Sequence, residues 1–317
     1  MTHIAIFCDG TWNSPERTFP TNVQLLCDYL KAQDSADVHL IYSRGVGARP
    51  MPDWVSCTVD RLGGGAFGWG LGDILESVYR ELAKVYEPGD EIHIFGFSRG
   101  AFMARSLAGL IRASGIPAED QFCRIDEAVA RYRDRAPLTE PGTAASAAFR
   151  WRFSPRVYTG QSEHDWRVAR SLPVGTPLSI SYLGIWDTVG ALGVPGIGGA
   201  LGKLVNSRYQ FHDTVLSRSV RAGRHAVAID EARVFFKPTL WKNLDKLNAS
   251  GARGAYLQEW FPGDHSMVGG GGDDRGITDQ ALRWIAEGAV ATGLPIDLGA
   301  LPAVTEESAR GPLTNST

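Results

Sequence analysis

Cysteine is scarce in this sequence, four in 317 residues. Cys8, Cys27, Cys57 and Cys123 lie far apart, with no C-x-x-C spacing among them. That argues against a zinc site and gives no clear disulfide framework. The seven histidines are scattered rather than set at metal-ligand spacing, so neither a metal nor a cofactor is expected. Charge of one dominant sign is lacking too: 32 Lys and Arg against 35 Asp and Glu leave a formal charge of −3. No basic field therefore points to nucleic acid or to an anionic membrane surface. No stretch reaches about 18 uninterrupted apolar residues, so no transmembrane helix is expected. Met1 to Asp9 has neither a basic region nor a long apolar core, and no signal peptide is expected. Synthesis in the cytoplasm follows; export by a specialised secretion system stays open, because such a route needs no cleavable signal.

What is present is the composition of a globular protein. Over 317 residues, 44% are hydrophobic and 21% charged, enough for a large buried core in one α/β domain or two smaller ones. Apolar runs Ile4 to Cys8, Val38 to Tyr42, Glu91 to Phe97 and Ile180 to Trp186 read as buried strands. Helical periodicity runs from about Asn22, with Val23, Leu26, Cys27 and Leu30 on one face, and again from Leu71 through Ile74, Leu75, Val78, Leu82 and Val85. Residues 44 to 70, rich in Gly, Pro and Trp, read as a long loop. A further helix opens after Ser98 and stops at Gly115, with Pro117 beyond it. Residues 118 to 178 read as an insertion with a helix over roughly 119–134. Gly190 to Leu204 reads as a lid-like loop. Then come a helix over Ser217 to Ala228, strands at Val234 to Phe236 and Ala255 to Phe261, and a last helix from about Thr278 to Ala291. No internal repeat is found. Alternating strands and helices predict a mostly parallel central sheet covered by helices on both faces. The domain boundary is placed at residues 1–300, with residues 301–317 as a loosely held tail.

The chemistry centres on DEIHIFGFSRGAFMARSLAGLI, Asp90 to Ile111. An apolar run passes through Gly96-Phe97-Ser98-Arg99-Gly100 straight into a helical pattern, which is the context of a nucleophile elbow. Its serine sits in strained backbone, and its glycines leave room for the neighbouring strand and helix. Orphan N–H groups at the helix start, from Arg99 onward, are aimed where an oxyanion would form. Such a serine needs a base and an orienting acid, carried later in the chain at strand ends. Asp187 ends the strand Ile180 to Trp186, and His265 follows the strand Ala255 to Phe261 on a glycine-rich stretch. Asp9-Gly10-Thr11, at the end of the first strand, could supply a second oxyanion N–H from Gly10 or Thr11. The same three residues echo the Asp-x-Asp-Gly-Thr signature of haloacid-dehalogenase-type phosphatases. Phe7 stands at that signature's nucleophile position, however, and cannot form a phosphoenzyme. Gly63 to Gly68 has glycines on a dinucleotide spacing but follows no expected strand, so it reads as loop.

Six ordered blocks carry a resemblance: FCDGTWN (7–13), GFSRGAF (96–102), GIWDTVG (184–190), FHDTVLS (211–217), FFKPTLW (235–241) and EWFPGDHSMVGGG (259–271). On these the chain resembles the DUF2235 family of α/β-hydrolase domains, which includes the catalytic part of type VI secretion phospholipase effectors of the Tle1-like group. The resemblance implies an α/β-hydrolase fold and a triad of Ser98, Asp187 and His265. It also implies esterase or lipase chemistry on acyl lipids, with peripheral membrane contact as a corollary. One position departs from the family pattern: the aspartate usual two residues after the histidine is Met267 here, leaving Asp264, Asp273 or Asp274 to replace it or nothing. Three readings follow. The first is a lipase or phospholipase; the second is a soluble carboxylesterase on small or polymeric esters; the third is a catalytically weak hydrolase-fold binding protein. Trp54, Phe67, Trp69 and Ala191 to Leu204 are apolar enough to line an acyl pocket under the first.

Overall fold

A computed structural model describes residues 1–10, 19–44, 65–134, 136–190, 215–233, 236–250, 254–272 and 275–304. Among these residues the chain builds a six-stranded sheet from β1 (His3–Cys8), β2 (Val38–Ser43), β3 (Glu91–Phe97), β6 (Ile180–Trp186), β7 (Val220–Ala228) and β8 (Tyr256–Phe261). The strand order is β2-β1-β3-β6-β7-β8, and every neighbouring pair runs parallel. A small second ladder pairs β4 (Val157–Tyr158) with β5 (Thr176–Pro177).

Period-two alternation along the buried strands divides the interior into two layers. Ile4, Ile6, Ile92, Ile94 and Ile185 face one side. Helices α2 (Gly65–Val85), α3 (Arg99–Ser114) and α4 (Ile125–Arg133) meet them there with Leu75, Val78, Leu107, Ile111 and Val129. Ala5, Phe7, Phe95, Tyr182 and Trp186 face the other side, against α1 (Asn22–Ala32) and α9 (Gly276–Val290) through Leu26, Leu30, Leu282 and Ile285. Thus α1, leaving β1, and α3, leaving β3, cover opposite faces. The chain turns outward in opposite directions from these adjacent strands, and such a switch point opens a crevice at their carboxyl ends.

Three expectations are corrected. Residues Ser217 to Ala228 do not form a helix; β7 occupies Val220–Ala228 in the sheet interior, bonded to β6 on one side and β8 on the other. Its Ala and Arg content favours a helix locally, but two waiting sheet edges outweigh that preference. Helix α2 begins at Gly65 rather than Leu71, because Gly65, Gly68, Gly70 and Gly72 hide the helical pattern without preventing it. The helix expected over 119–134 is a 3₁₀ segment, Glu119–Arg124, followed by α4. The rest of the insertion adds α5 (Ala144–Phe153) and α6 (Gln161–Val168), and α7 (Leu244–Ser250) follows β7. Of the strand expected at Val234 to Phe236, only Phe236 is described, and its N–H closes a turn on the Arg233 carbonyl. Phe67 and Trp69 lie in α2 and not in a loop, whereas Trp54, residues 191–204 and residues 305–317 lie outside the described residues.

Candidate active site

The candidate site gathers residues that follow β3, β6, β7 and β8 at their carboxyl ends. β3 ends at Phe97 and α3 begins at Arg99, leaving Ser98 alone to turn the chain. Its backbone is driven to φ 58°, ψ −123°, a conformation a residue with a Cβ adopts only under constraint. A Cβ on Gly96 would stand 2.5 Å from the Gly100 carbonyl oxygen, and one on Gly100 would stand 2.0 Å from that of Cys8. Any other residue at either place would push α3 off the sheet. Ser98 donates its N–H to the Trp186 carbonyl, which ties the elbow to β6.

Asp187 follows β6 directly, also in the left-handed region with φ 33°. Its N–H bonds the Ala226 carbonyl, and its Oδ1 accepts the Ala228 N–H at 3.0 Å, so β7 fixes the carboxylate. The other oxygen, Oδ2, lies 2.6 Å from His265 Nδ1. His265 Nε2 in turn lies 2.8 Å from Ser98 Oγ. Asp187 is fully buried, while Ser98 and His265 retain 6% exposure each, enough to meet a substrate from one side. With Nδ1–H donated to a buried carboxylate, Nε2 carries the lone pair that faces the serine hydroxyl.

His265 opens the one-turn helix α8 (His265–Gly269) rather than lying in a loop, and Asp264 caps that helix by accepting the Ser266 and Met267 N–H groups on Oδ1. Two aromatic rings hold the imidazole: Phe97 at 4.6 Å and Phe236 at 4.9 Å between ring centroids. Glu231 accepts the His265 backbone N–H on Oε2 and the Arg233 guanidinium on both oxygens. Against the upward push of burial, those hydrogen bonds hold the Glu231 carboxyl below its ordinary range. Asp230 accepts the Gly263 N–H. None of Phe236, Asp230 or Glu231 was picked out individually from the sequence. Phe236 lies within the block FFKPTLW, so a signal was present without a role attached to it.

The glycine run after α8 packs closely. A Cβ on Gly269 would sit 1.9 Å from the Phe97 ring, and Gly270, at φ 85°, bridges to Thr21. Asn22, at the start of α1, donates to the Val268 carbonyl. Met267 is buried against Gly263, filling with an apolar side chain the position where the family pattern carries an acid. Asp264 is occupied as a helix cap; Asp273 and Asp274 lie outside the described residues.

The turn after β1 differs from expectation. Asp9 is buried; its Oδ1 accepts the Gly10 N–H at 2.6 Å and its carboxylate also takes the hydroxyls of Thr21 and Tyr42. Burial, then the Asp9 charge, raises the Tyr42 phenol, which stays protonated and donates. The Gly10 N–H is thus engaged locally, by the Asp9 carboxylate. Thr11 lies outside the described residues. Arg99, next to Ser98, has its guanidinium brought down to about 10 by burial, so it remains a cation at neutral pH. His225 on β7 lies near but serves another purpose. It is buried, accepts the Thr188 N–H on Nε2 and faces Gln258 through Nδ1, which steadies the turn beyond Asp187. Burial, with Arg105 nearby, lowers it to about 3, so it is neutral.

Known proteins resemble this chain in fold and in sequence. A crystal structure of an uncharacterized protein from Pseudomonas aeruginosa superposes with a TM-score of 0.50 at 19% identity, over 97% of this chain and 49% of that one, a likeness of fold. The structure of the Tle1 effector bound to the VgrG spike of the type 6 secretion system matches with a TM-score of 0.41 and 18% identity, over 85% and 51% of the two chains. The uncharacterized protein YEL023C of Saccharomyces cerevisiae is 27% identical over 242 residues, 74% of this chain and 32% of its own. The chain therefore spans about half of those solved chains and about a third of the yeast relative. The model of the type VI secretion phospholipase effector Tle1-like catalytic domain matches residues 2–288, nearly the whole chain, and the protein belongs to that family.

Proposed function

We propose that this chain is a serine ester hydrolase that releases fatty acids from phospholipids. The observation that carries the reading is the continuous hydrogen-bonded path from Ser98 Oγ through His265 to Asp187, at 2.8 and 2.6 Å, built on a strained elbow. Membership of the Tle1-like family supplies the substrate class. Residues 1–300 act as one catalytic unit, since strands from His3 to Phe261 share a sheet.

Ser98 Oγ attacks the ester carbonyl as His265 Nε2 takes its proton. Asp187 holds the imidazole in the tautomer this requires and stabilises the imidazolium that forms. The tetrahedral oxyanion is met by backbone N–H groups at the start of α3, Arg99 first, where the helix dipole adds to them. The turn after β1 is proposed to supply the second donor. Each donor lowers the barrier by on the order of 3 kcal/mol. His265 then protonates the leaving alcohol; water, deprotonated by the same nitrogen, cleaves the acyl-serine and restores the hydroxyl. Phe97 and Phe236 keep the imidazole on its axis through this cycle. Among the described residues no helix is long and apolar enough to cross a membrane, so access to lipid is peripheral in this account.

The test is fatty-acid release from mixed phospholipid vesicles, read by mass spectrometry, for wild type and Ser98→Ala. Release by the wild type alone is expected. Cleavage of short soluble esters without vesicle hydrolysis would replace the phospholipid by a soluble substrate. Activity retained in Ser98→Ala would remove the assignment of the serine.

A further inference from the structure

At the amino end of the same sheet, roughly 20 Å along β3 from Ser98 at a strand's rise per residue, lie two histidines that the sequence keeps 90 residues apart. His3 on β1 is the register partner of Glu91 on β3, and His93 stands two residues further along β3 on the same face. Their donor atoms converge. His3 Nδ1 is 3.3 Å from His93 Nε2 and 3.6 Å from Glu91 Oε2, and His93 Nε2 is 3.9 Å from that oxygen. We propose that His3 Nδ1, His93 Nε2 and Glu91 Oε2 form a binding site for a first-row divalent cation, zinc fitting the donor set best, that ties β1 to β3.

The spacing supports the assignment. Ligand atoms held about 2.0–2.2 Å from one centre at near-tetrahedral angles lie about 3.3–3.6 Å from each other, and wider angles stretch one edge toward about 4 Å. Two imidazole nitrogens and one carboxylate oxygen are a borderline donor set, suited to zinc and its neighbours rather than to calcium or magnesium. His93 is fully buried, and its Nδ1 has no hydrogen-bond partner; Nε2 is the ring atom that the fold presents, and it points into the cluster. His3 and Glu91 each keep 18% side-chain exposure, so an ion reaches them from solvent and a water can complete its coordination.

Glu91 is oriented from outside the cluster. Its other oxygen, Oε1, accepts Arg221 Nη2 at 2.9 Å, and that guanidinium also bonds Ser181 Oγ, which leaves Oε2 turned to the histidines. A partner of this kind on a ligating carboxylate is the usual outer support of a metal site. The positive charge of Arg221 opposes a cation, but the side chain is 53% exposed and well screened. The turn after α9 closes over the group, with a Cβ on Gly293 falling 3.2 Å from Glu91 Oε2 and 3.7 Å from His3 Cε1. The site is independent of the ester chemistry proposed for Ser98.

The experiment uses the full chain, treated with chelator and dialysed, and titrated with Zn²⁺ against a chromophoric competitor. A parallel titration with Co²⁺ reads the visible absorption of the bound ion. His3→Gln and Glu91→Gln are the test variants, since both positions are partly exposed and their folding is checked by circular dichroism. The expected result is one ion per chain in the wild type and a rise in melting temperature on adding Zn²⁺. About ten-fold or greater loss of affinity is expected in each variant, together with loss of the thermal shift. The proposal is overturned if the wild type takes up no ion, or if both variants bind as tightly as it does.

Discussion

The glycine that touches the aromatic neighbour of the His265 imidazole gives the sharpest test of how the candidate site is packed. Gly269 gives Phe97 the room to lie against His265, and any side chain there displaces the ring. Gly269→Ala is expected to lower kcat/KM for ester cleavage and to cost about 1–3 kcal/mol of stability, the usual range for overpacking. Gly142→Ala, with nothing within 4 Å of its added Cβ, should stay within about 0.5 kcal/mol of wild type. Paired urea titrations and initial rates would check both; equal effects would mean that the Phe97 contact is not what positions the histidine. At this scale the sequence was readable where a residue follows a strand: Ser98, Asp187 and His265 each sit just beyond one, and the fold brings them together. Gly10 was not, because an Asp-Gly turn looks the same whether its N–H faces outward or, as here, returns to the aspartate. Phe236 and Glu231 were illegible for a different reason, since only the packing of their turn against His265 gives them a role.

Strands and helices of this chain make their own predictions. β7 was misread as a helix, and it carries His225, whose placement in a sheet interior sets a pH response. Burial, then Arg105, puts the folded-state value near 3, below the ordinary 6.5. Between those values the unfolded chain takes up a proton that the folded chain refuses. The contribution of His225 is therefore complete above about pH 6.5 and declines as pH falls toward about 3, by at most about 1.4 kcal/mol per unit. Urea midpoints from about pH 7 down to about pH 4.5 should fall less steeply in His225→Gln than in wild type. An unchanged slope would mean that this imidazole titrates normally.

The insertion between α3 and β6 is held differently. Glu163 on α6 is buried between Arg150 on α5 and Arg167 one turn later, and both guanidiniums also donate to backbone carbonyls, Arg150 to Ala113 and Pro141, Arg167 to Pro155 and Val157. Glu163→Ala leaves two buried cations without their anion and should cost about 3–5 kcal/mol. Limited proteolysis should then cut first within residues 136–178. Charged residues in a segment of unclear periodicity gave the sequence reading no hint of this. Ion pairs are set by which helices meet, and the boundaries of α5 and α6 were not resolved within the insertion.

Seen whole, the molecule is an α/β-hydrolase-like parallel sheet whose two ends carry different groups. The alternation of strands and helices, read with turn chemistry, sufficed for the sheet class and its covered faces. It could not give the strand order, and so could not bring His3 beside His93. Likewise the carboxyl-end crevice between β1 and β3 exists because the chain leaves those strands in opposite directions, a property of topology rather than of any motif. The proposed chemistry rests on one oxygen atom, Ser98 Oγ.

The most direct measurement is fluorophosphonate labelling of the folded chain, followed by intact-mass analysis and peptide mapping. A single adduct is predicted, on Ser98, absent in Ser98→Ala. Labelling should be markedly slower in Asp187→Asn, where loss of the correct imidazole tautomer is expected to cost on the order of 10⁴-fold in turnover. An unlabelled wild type, or an adduct that persists without Ser98, would contradict the account.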